Sequence, residues 1–280
     1  MLRLQELIII ESKDALKDVH EGKVLINTIN AHSYNVAQKD KQFAEALQTV
    51  HGEEGQIQAS ASCVKYLIPD GASIVKACRW LKAKCQPKER IAGWDLFLFE
   101  MENLERKSEK FFEEQSRNTE QKVETEKNLK VMFMGSSEKV LNLIRQRAAN
   151  DFPHLEVVTY SPPYTSEFSA EDSQAMIQAI NEANPDLLWI GMTAPKQEKW
   201  IYQHWHELNI HALVGTIGAV FDFYAGTERR APLWWQTHSL EWLYRLLHKP
   251  RHTWRRYVIG NPLFLWNIMK EKITRNDDTN

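Results

Sequence analysis

The sequence predicts an α/β fold with a mainly parallel sheet in two halves and a helical, basic C-terminal appendage. Short apolar runs and helical stretches alternate through most of the 280 residues, which is the pattern of a parallel sheet covered by helices. Leu187–Ile190 is the clearest run, because it stands between the turn-forming Asn184-Pro185-Asp186 and Gly191, as in a strand buried on both faces. The alternation predicts a Rossmann-like sheet, and a chain with 43% hydrophobic residues is long enough to bury its core.

The first half contains three predicted strands, each followed by a helical stretch. These strands are residues 7–10, 24–28 and 64–68. Residues 51–62 are rich in Gly, Gln, Ser and Ala without a period, which indicates a mobile loop before the third strand. Asp95 is placed to cap the helix that follows it.

The second half continues the alternation. Its predicted strands are residues 131–134, 155–159, 187–190 and 212–215. Between the halves, residues 105–128 are strongly charged and predict a solvated helix that ends in a linker. Ser169 and Asp172 form a capping-box pattern at the start of another helix.

The segment after Leu187–Ile190 is a candidate anion site. Thr193 can cap a helix and Pro195 suits its first position, so that Gln197 falls in the first turn beside a strand's carboxyl end. Open α/β sheets bind ligands at that edge, and free N–H groups of a helix favour a diphosphate there. An ordinary joint between strand and helix explains the same residues equally well.

The sequence disfavours a secreted or a membrane-spanning protein. The start of the chain lacks a signal-peptide pattern, and no stretch has the length needed to cross a bilayer. Three cysteines, odd in number and without metal-ligand spacing, favour a reduced cytoplasm.

Charge concentrates near the C-terminus, although the formal net charge is only −2. Residues 229–272 hold nine Lys or Arg against Glu241 and Glu271, a balance of +7, together with five of the ten tryptophans. This combination predicts a core over 1–228 and an appendage over 229–280. The appendage suits an anionic membrane surface, a nucleic-acid surface or a plain helical cap.

Six short motifs occur in an order that resembles one known family. They are Thr28-Ile29-Asn30, Pro69-Asp70-Gly71, Arg90-Ile91-Ala92-Gly93-Trp94-Asp95, Pro195-Lys196-Gln197-Glu198, Arg230-Ala231-Pro232 and Glu241-Trp242-Leu243-Tyr244-Arg245. The set resembles the WecG/TagA/CpsF family of bacterial glycosyltransferases, over roughly residues 24–257. Two departures stand out: a longer loop at 51–62, and His252 where the family often has a basic residue.

The resemblance implies an inverting transfer of N-acetylmannosamine or a related hexose from a UDP-sugar. The implied acceptor is a GlcNAc-type sugar linked to undecaprenyl diphosphate at the cytoplasmic face of the membrane, in the synthesis of wall, capsule or exopolysaccharide polymers. It implies no metal and no cofactor, and the chain has no Asp-x-Asp pair of the kind that holds a metal against UDP. The donor sugar, the linkage and the oligomeric state stay open.

The resemblance also gives site residues. An inverting transfer needs a base for the acceptor hydroxyl, and Asp70 matches it; the alternative is a turn aspartate before Gly71. Thr28 and Asn30 would bind the sugar or position the acceptor, or simply cap the next helix.

The departing diphosphate needs donors or positive charge. Arg90 could bind a phosphate bidentately, or be a surface arginine. Gln197 is a candidate donor to sugar or diphosphate, and Asp222 either holds a hydroxyl or caps a helix. The remaining candidates are arginines. Arg245, Arg251 and Arg255 would bind the acceptor's diphosphate and lipid headgroups, and Arg230 is a further substrate-binding candidate.

The expected partners are therefore a UDP-sugar, a lipid-diphosphate-linked acceptor and an anionic membrane, without nucleic acid, and a homo-oligomer is a further option. Two rival functions remain at this point. A dinucleotide-dependent oxidoreductase is disfavoured because no Gly-x-Gly-x-x-Gly follows a strand. A non-enzymatic adaptor that binds through the basic tail leaves Thr28, Asp70 and Gln197 unexplained.

Overall fold

The computed structural model describes residues 2–19, 22–48, 64–117 and 128–278. It has an α/β fold with one all-parallel sheet of six strands, in the order β2-β1-β6-β5-β3-β4. The strands are β1 (Val24–Ile29), β2 (Val64–Pro69), β3 (Lys130–Met134), β4 (Glu156–Tyr160), β5 (Leu187–Ile190) and β6 (Leu213–Thr216). The predicted Rossmann-like, parallel class is confirmed.

Twelve α-helices flank the strands within the described residues. They are α1 (Ala31–Ala37), α2 (Lys41–Leu47), α3 (Ala72–Leu81), α4 (Gly93–Arg117), α5 (Glu138–Asp151), α6 (Ala170–Ala183), α7 (Lys196–His204), α8 (Val220–Ala225), α9 (Leu233–Thr237), α10 (Glu241–His248), α11 (Pro250–Trp254) and α12 (Gly260–Asp278). A π-helical turn, Arg255–Ile259, joins α11 to α12.

The chain divides into two compact units. Unit 1 contains Met1–Val19, Asn27–Ala92 and Arg229–Asn280, and unit 2 contains His20–Ile26 and Gly93–Glu228. The C-terminal segment therefore packs with elements from the start of the chain. The predicted division into a core over 1–228 and an appendage over 229–280 stays a prediction.

Unit 1 has its own hydrophobic core. Leu4 and Leu7 of the N-terminal segment join Tyr34 of α1, while Phe264 and Ile268 come from α12. The Tyr34 and Phe264 rings meet edge to face, with centroids 5.5 Å apart. Burial of these side chains, rather than the helical propensity of α12, fixes the helix against α1 and α3.

Unit 2 is built on the parallel pairs β3–β4, β3–β5 and β5–β6. All four residues of β5 are buried, as a strand covered on both faces requires. Trp189 packs against Phe97 of α4 at a centroid distance of 5.5 Å. A Cβ at Gly215 of the neighbouring β6 would lie 2.2 Å from the Trp189 ring, so only glycine leaves room for the indole.

Some local predictions were right and others were wrong. Ser169 and Asp172 form the predicted capping box of α6. Residues 7–10 do not form a strand, since only the single bridge Ile9–Leu67 is present there. Asp95 does not cap α4, because that helix already begins at Gly93.

Predictions between the two units depend partly on residues that the structure does not describe. Helix α4 extends through Arg117, so the charged stretch is helical over 105–117. Residues 118–127 of the predicted linker, and the predicted loop 51–62, lie outside the described residues.

Candidate functional site

Unit 1 contains a cavity of about 630 Å³ at the carboxyl ends of β1 and β2. Its wall is formed by the joint between β1 and α1, the joint between β2 and α3, and side chains of α10 and α12. Parallel α/β sheets bind ligands at this edge, because the chain leaves each strand there and turns into a helix. The cavity is therefore the candidate active site.

Asp70 is held in this cavity by its backbone. Its N–H donates to the carbonyl oxygens of Ile29 (2.9 Å) and Ile68 (3.0 Å), which ties the end of β2 to the end of β1. Gly71 then precedes α3 as its N-cap residue, and Asn30 is its near neighbour, since a Cβ at Gly71 would lie 3.8 Å from the Asn30 Cβ. Two motifs about 40 residues apart in sequence are thus adjacent in space.

The charges around Asp70 set its proton affinity. Burial raises the pKa of the Asp70 carboxyl, and the nearby Glu241 carboxylate adds to that increase. The guanidinium groups of Arg245, Arg90 and Arg256 act in the opposite direction. A carboxylate with a raised pKa accepts a proton more readily than an exposed one, as a general base must.

Glu241 joins two of the predicted arginines. Arg90 Nη1 donates to Glu241 Oε2, and Arg230 Nε lies 3.5 Å from Glu241 Oε1. The three side chains are only 14–20% exposed. Arg90 is therefore not the surface arginine of the alternative prediction, because its guanidinium is largely covered and paired.

Asn30 and Thr28 have different surroundings. Asn30 caps α1: its Oδ1 accepts from the N–H groups of His32 and Ser33, each at 3.0 Å, and it also lines the cavity. The capping alternative is thus correct for Asn30, which leaves its amide nitrogen for a ligand hydroxyl. Thr28 is half-buried within β1 and is not among the residues that line the cavity.

The predicted C-terminal arginines fall into two groups. Arg245 of α10 lines the cavity and is half-buried. Arg251 and Arg255 are exposed and do not line it, and the Arg255 guanidinium lies 5.5 Å from the Trp254 ring centroid. The side chain of His252 lies outside the described part of the chain.

Several cavity residues were not predicted from the sequence. Arg256 and Lys76 add positive charge to the wall, and Glu241 organises the arginines. His32 also lines the cavity, where desolvation and the nearby Arg256 lower the pKa of its imidazole. The Arg255-Arg256 pair and the Glu241-Trp242-Leu243-Tyr244-Arg245 motif were visible signals, but the sequence does not tell which side of a helix faces a ligand.

Gln197 belongs to unit 2 and is 3% exposed. Its Oε1 accepts from the Met192 N–H at 3.1 Å, and its Nε2 donates to Glu198 Oε1 at 2.8 Å. Pro195, without a side-chain hydrogen bond, is the residue that precedes α7, so the prediction that Thr193 caps this helix was wrong. Gln197 thus fixes the turn between β5 and α7 through its own amide.

Glu198 is buried with one unpaired oxygen. It is 2% exposed, and its Oε2 has no hydrogen-bond partner among the described residues. Burial raises the pKa of the Glu198 carboxyl to about 7, while the hydrogen bond from Gln197 opposes that increase. The sequence-based prediction gave this residue only a place in the first turn.

Asp222 lies inside α8, also in unit 2, and is half-buried. Thr227 Oγ1 donates to the Asp222 carboxylate at 3.2 Å, and the Glu228 N–H donates to the Asp222 carbonyl at 3.1 Å. These bonds stabilise the turn that follows α8. Asp222 therefore has a structural role similar to the predicted capping, but at the C-terminal end of the helix.

The C-terminal segment carries an unusual apolar surface. Of the fifteen large hydrophobic side chains that are exposed within the described residues, eleven lie between Leu233 and Ile273. They include Leu265, which is 62% exposed, and Trp234, which is 58% exposed. Exposed apolar side chains, where they cluster, mark contacts with a protein, a ligand or a membrane.

No helix among the described residues is both long enough and apolar enough to cross a membrane. No group of three or more His, Cys, Asp or Glu side chains in the same residues is arranged to hold a metal ion.

Comparison with known proteins identifies relatives over most of the chain. One relative is the N-acetylglucosaminyldiphosphoundecaprenol N-acetyl-beta-D-mannosaminyltransferase of Bacillus spizizenii. It is 27% identical to this chain over 215 residues (77% of this chain, 72% of the relative). The protein of that name in Bacillus subtilis strain 168 is 25% identical over 248 residues (89% and 80%). The one in Staphylococcus aureus strain MW2 is 26% identical over 208 residues (74% and 70%).

The family model of the glycosyl transferase WecG/TagA/CpsF family matches residues 117–278, more than half of the chain. The matched range contains Gln197 and the C-terminal arginines, while Asn30, Asp70 and Arg90 precede it. With the relatives, the match decides against the dinucleotide-dependent oxidoreductase and the non-enzymatic adaptor. This protein therefore belongs to the glycosyl transferase WecG/TagA/CpsF family, and is an enzyme that transfers a sugar.

Proposed function

We propose that this protein transfers N-acetylmannosamine, or a related hexose, from a UDP-sugar to a GlcNAc-type sugar linked to undecaprenyl diphosphate. The transfer inverts the anomeric carbon and needs no metal ion. The observation that carries the proposal is the cavity of unit 1, in which Asp70 lies among Arg90, Arg245 and Arg256. The names of the relatives support the acceptor, because they describe the same lipid-linked sugar.

Asp70 is the general base of the proposed reaction. The acceptor hydroxyl attacks the anomeric carbon while the bond from that carbon to the UDP oxygen breaks, and Asp70 accepts the hydroxyl proton. Burial keeps the Asp70 carboxylate poorly solvated, which favours that proton transfer. Asn30, at the end of the adjacent strand, orients a sugar hydroxyl through its amide nitrogen.

The arginines bind the diphosphate groups of donor and acceptor. Guanidinium groups suit this task because each presents a planar set of N–H donors with a permanent charge. Arg245 and Arg256 line the cavity with Arg90, and positive charge held at the departing diphosphate lowers the barrier without a bound cation. Gln197 and Asp222 remain proposed substrate-binding residues, and Thr28 remains proposed to bind the sugar or position the acceptor.

The reaction is tested by offering several UDP-sugars together with a short-chain lipid-diphosphate acceptor. We expect UDP release and glycosylated acceptor only when donor and acceptor are both present, and equal rates with and without excess EDTA. The anomeric configuration of the product, read by NMR, checks the inversion. Loss of activity in EDTA that Mg²⁺ or Mn²⁺ restores would contradict a metal-independent reaction.

We also propose that residues 229–280 attach the enzyme reversibly to the cytoplasmic face of the membrane. Support comes from the exposed side chains near Leu233–Ile273 and from the exposed Arg251 and Arg255. Each basic residue near an anionic surface contributes about 1 kcal/mol, and salt screens that attraction.

Charge reversal tests the attachment. Because two positive charges become negative, Arg251→Glu/Arg255→Glu should weaken binding to anionic vesicles by about 30-fold or more. The matched control, Lys41→Glu/Lys139→Glu, makes the same charge change at exposed positions of α2 and α5. An equal loss in both variants would mean that only net charge matters, and parental binding by the first variant would refute the proposed surface.

A further inference from the structure

The cavity around Asp70 has a second, apolar end. Along α3, Ser73, Lys76, Ala77 and Trp80 face the cavity at the spacing of one helical stripe. The stripe begins with polar side chains near Asp70 and ends with an indole. Since α3 rises about 1.5 Å per residue, Trp80 lies about 12 Å along the helix from Ala72, its first residue.

Helix α12 repeats this gradient along its own side chains. Asn261, Phe264, Leu265 and Ile268 line the cavity, again from a polar to an apolar end. The Nζ atom of Lys272, one turn beyond Ile268, lies 4.1 Å from the Trp80 ring centroid, so the ends of α3 and α12 that are distant from Asp70 lie close together. Both walls therefore change from polar to apolar in the same direction.

The apolar end is open to a ligand. Phe264 and Ile268 are buried at 3% and 1% exposure and form its floor, whereas Trp80 and Leu265 above them are 47% and 62% exposed. Trp242 of α10, which is 39% exposed, also lines the cavity. Leaving such side chains in water costs free energy that a bound apolar chain would recover.

We propose that this apolar end binds the first isoprene units of the acceptor's polyprenyl chain. The inference rests on the proposed function and extends it, because the charged end of the same cavity is the proposed diphosphate site. A polyprenyl diphosphate has the same gradient, with an anionic head directly joined to an apolar chain. Because the cationic end and the apolar end belong to one cavity, it suits a polyprenyl diphosphate better than a lipid without a diphosphate.

The experiment compares two soluble acceptors in the absence of membranes. Both carry GlcNAc-diphosphate, one on an ethyl group and the other on a farnesyl chain. Burial of the chain against Trp80 and Leu265 should give the farnesyl acceptor a KM at least about 10-fold lower, with a similar kcat. Trp80→Ala and Leu265→Ala should bring the two KM values close together and leave transfer to the ethyl acceptor unchanged.

The control variant is Phe111→Ala, which removes a ring of similar exposure (51%) from α4 in unit 2 and should keep the parental ratio of KM values. An equal KM for both acceptors in the parent enzyme, or a parental ratio in both cavity variants, would overturn the inference. Weaker vesicle binding by Trp80→Ala with an unchanged KM ratio would assign the indole to general membrane contact and also overturn it. Failure to transfer any sugar to either acceptor would overturn the proposed function itself.

Discussion

Glu271 of α12 is predicted to be a main anchor of unit 1. Its two carboxylate oxygens accept three hydrogen bonds, from the Leu4 N–H (3.1 Å), the Gln5 N–H (2.8 Å) and the Tyr34 hydroxyl (2.5 Å). One side chain thus connects the C-terminal helix to the N-terminal segment and to α1. Burial and the neighbouring Glu271 carboxylate raise the pKa of the Tyr34 phenol, so it remains a donor throughout the physiological range.

The cost of removing this anchor follows from the groups left behind. A hydrogen bond to a charged group is worth about 1.5–3 kcal/mol, but the site is only partly buried and water can replace some of the lost partners. Glu271→Ala should therefore lower the free energy of unfolding of unit 1 by about 3 kcal/mol. Glu271→Gln keeps one acceptor oxygen and should cost about 1–2 kcal/mol.

Two measurements check this prediction. Amide hydrogen exchange at Leu4 and Gln5 should become faster in Glu271→Ala, because both N–H groups lose their acceptor. Chemical denaturation of the same variant should give the lower stability of unit 1. Lys270→Ala is the matched control, since it shortens an exposed side chain at the preceding position of the helix.

A double-mutant cycle isolates the contact with the phenol. Tyr34→Phe removes the hydroxyl, so the loss from Glu271→Ala should be smaller in the Tyr34→Phe background. Additive losses would show that the hydroxyl and the carboxylate do not interact. Parental exchange at Leu4 and Gln5 in Glu271→Ala would refute the anchor.

Three further predictions concern the chemistry of the two units. Asp70→Asn should keep affinity for the UDP-sugar and lower kcat by about 100-fold or more, and near-normal turnover in the folded variant would refute the base. Glu241→Gln should raise the KM for donor or acceptor, because Arg90 and Arg230 lose their shared partner; unchanged kinetics would show that the pairing has no role in the site. Glu198 holds its proton up to a pKa of about 7 in the folded protein, against 4.5 as its ordinary value, so unit 2 should lose up to about 3 kcal/mol of stability as the pH rises between them. Denaturation at pH 5 and pH 8 should show a smaller loss in Glu198→Gln, and the same loss in both proteins would contradict this origin.

The sequence predicted the strands of the sheet well, for a physical reason. A parallel strand covered on both faces must be apolar along its whole length, and β3 and β5 are bounded by residues that end strands. The strand predicted at residues 7–10 is absent for a related reason. That apolar run fills the core of unit 1, but burial alone does not supply the neighbouring backbone that a ladder needs.

One capping prediction was right and another was wrong, also for a physical reason. The side chains of Ser169 and Asp172 each accept a hydrogen bond from the other residue's N–H, so two residues of the sequence together mark the start of the helix. Asp95 was judged by residue type alone, and the helix begins two residues earlier at Gly93. A single polar residue before a helical stretch does not tell where the first turn closes.

The sequence predicted the site residues that follow strands. It did not predict the contacts between residues that are distant in sequence. Asn30 and Asp70 each follow a strand, and the neighbouring positions of β1 and β2 bring them together. The pairing of Arg90 with Glu241 joins residues 151 positions apart, through side chains that no periodicity links. Such contacts follow from packing of the complete chain.

The place of the C-terminal segment in unit 1 affects how membrane attachment can be studied. A protein cut after Glu228 would lose Arg251 and Arg255, but also Phe264 and Ile268 from the core. It would further leave Arg90 without Glu241 beside Asp70, because that carboxylate comes from the same segment. Truncation would thus change stability, the charge of the cavity and membrane contact together. Substitutions at exposed positions such as Arg251 and Arg255 separate these effects, since the core and the cavity stay intact.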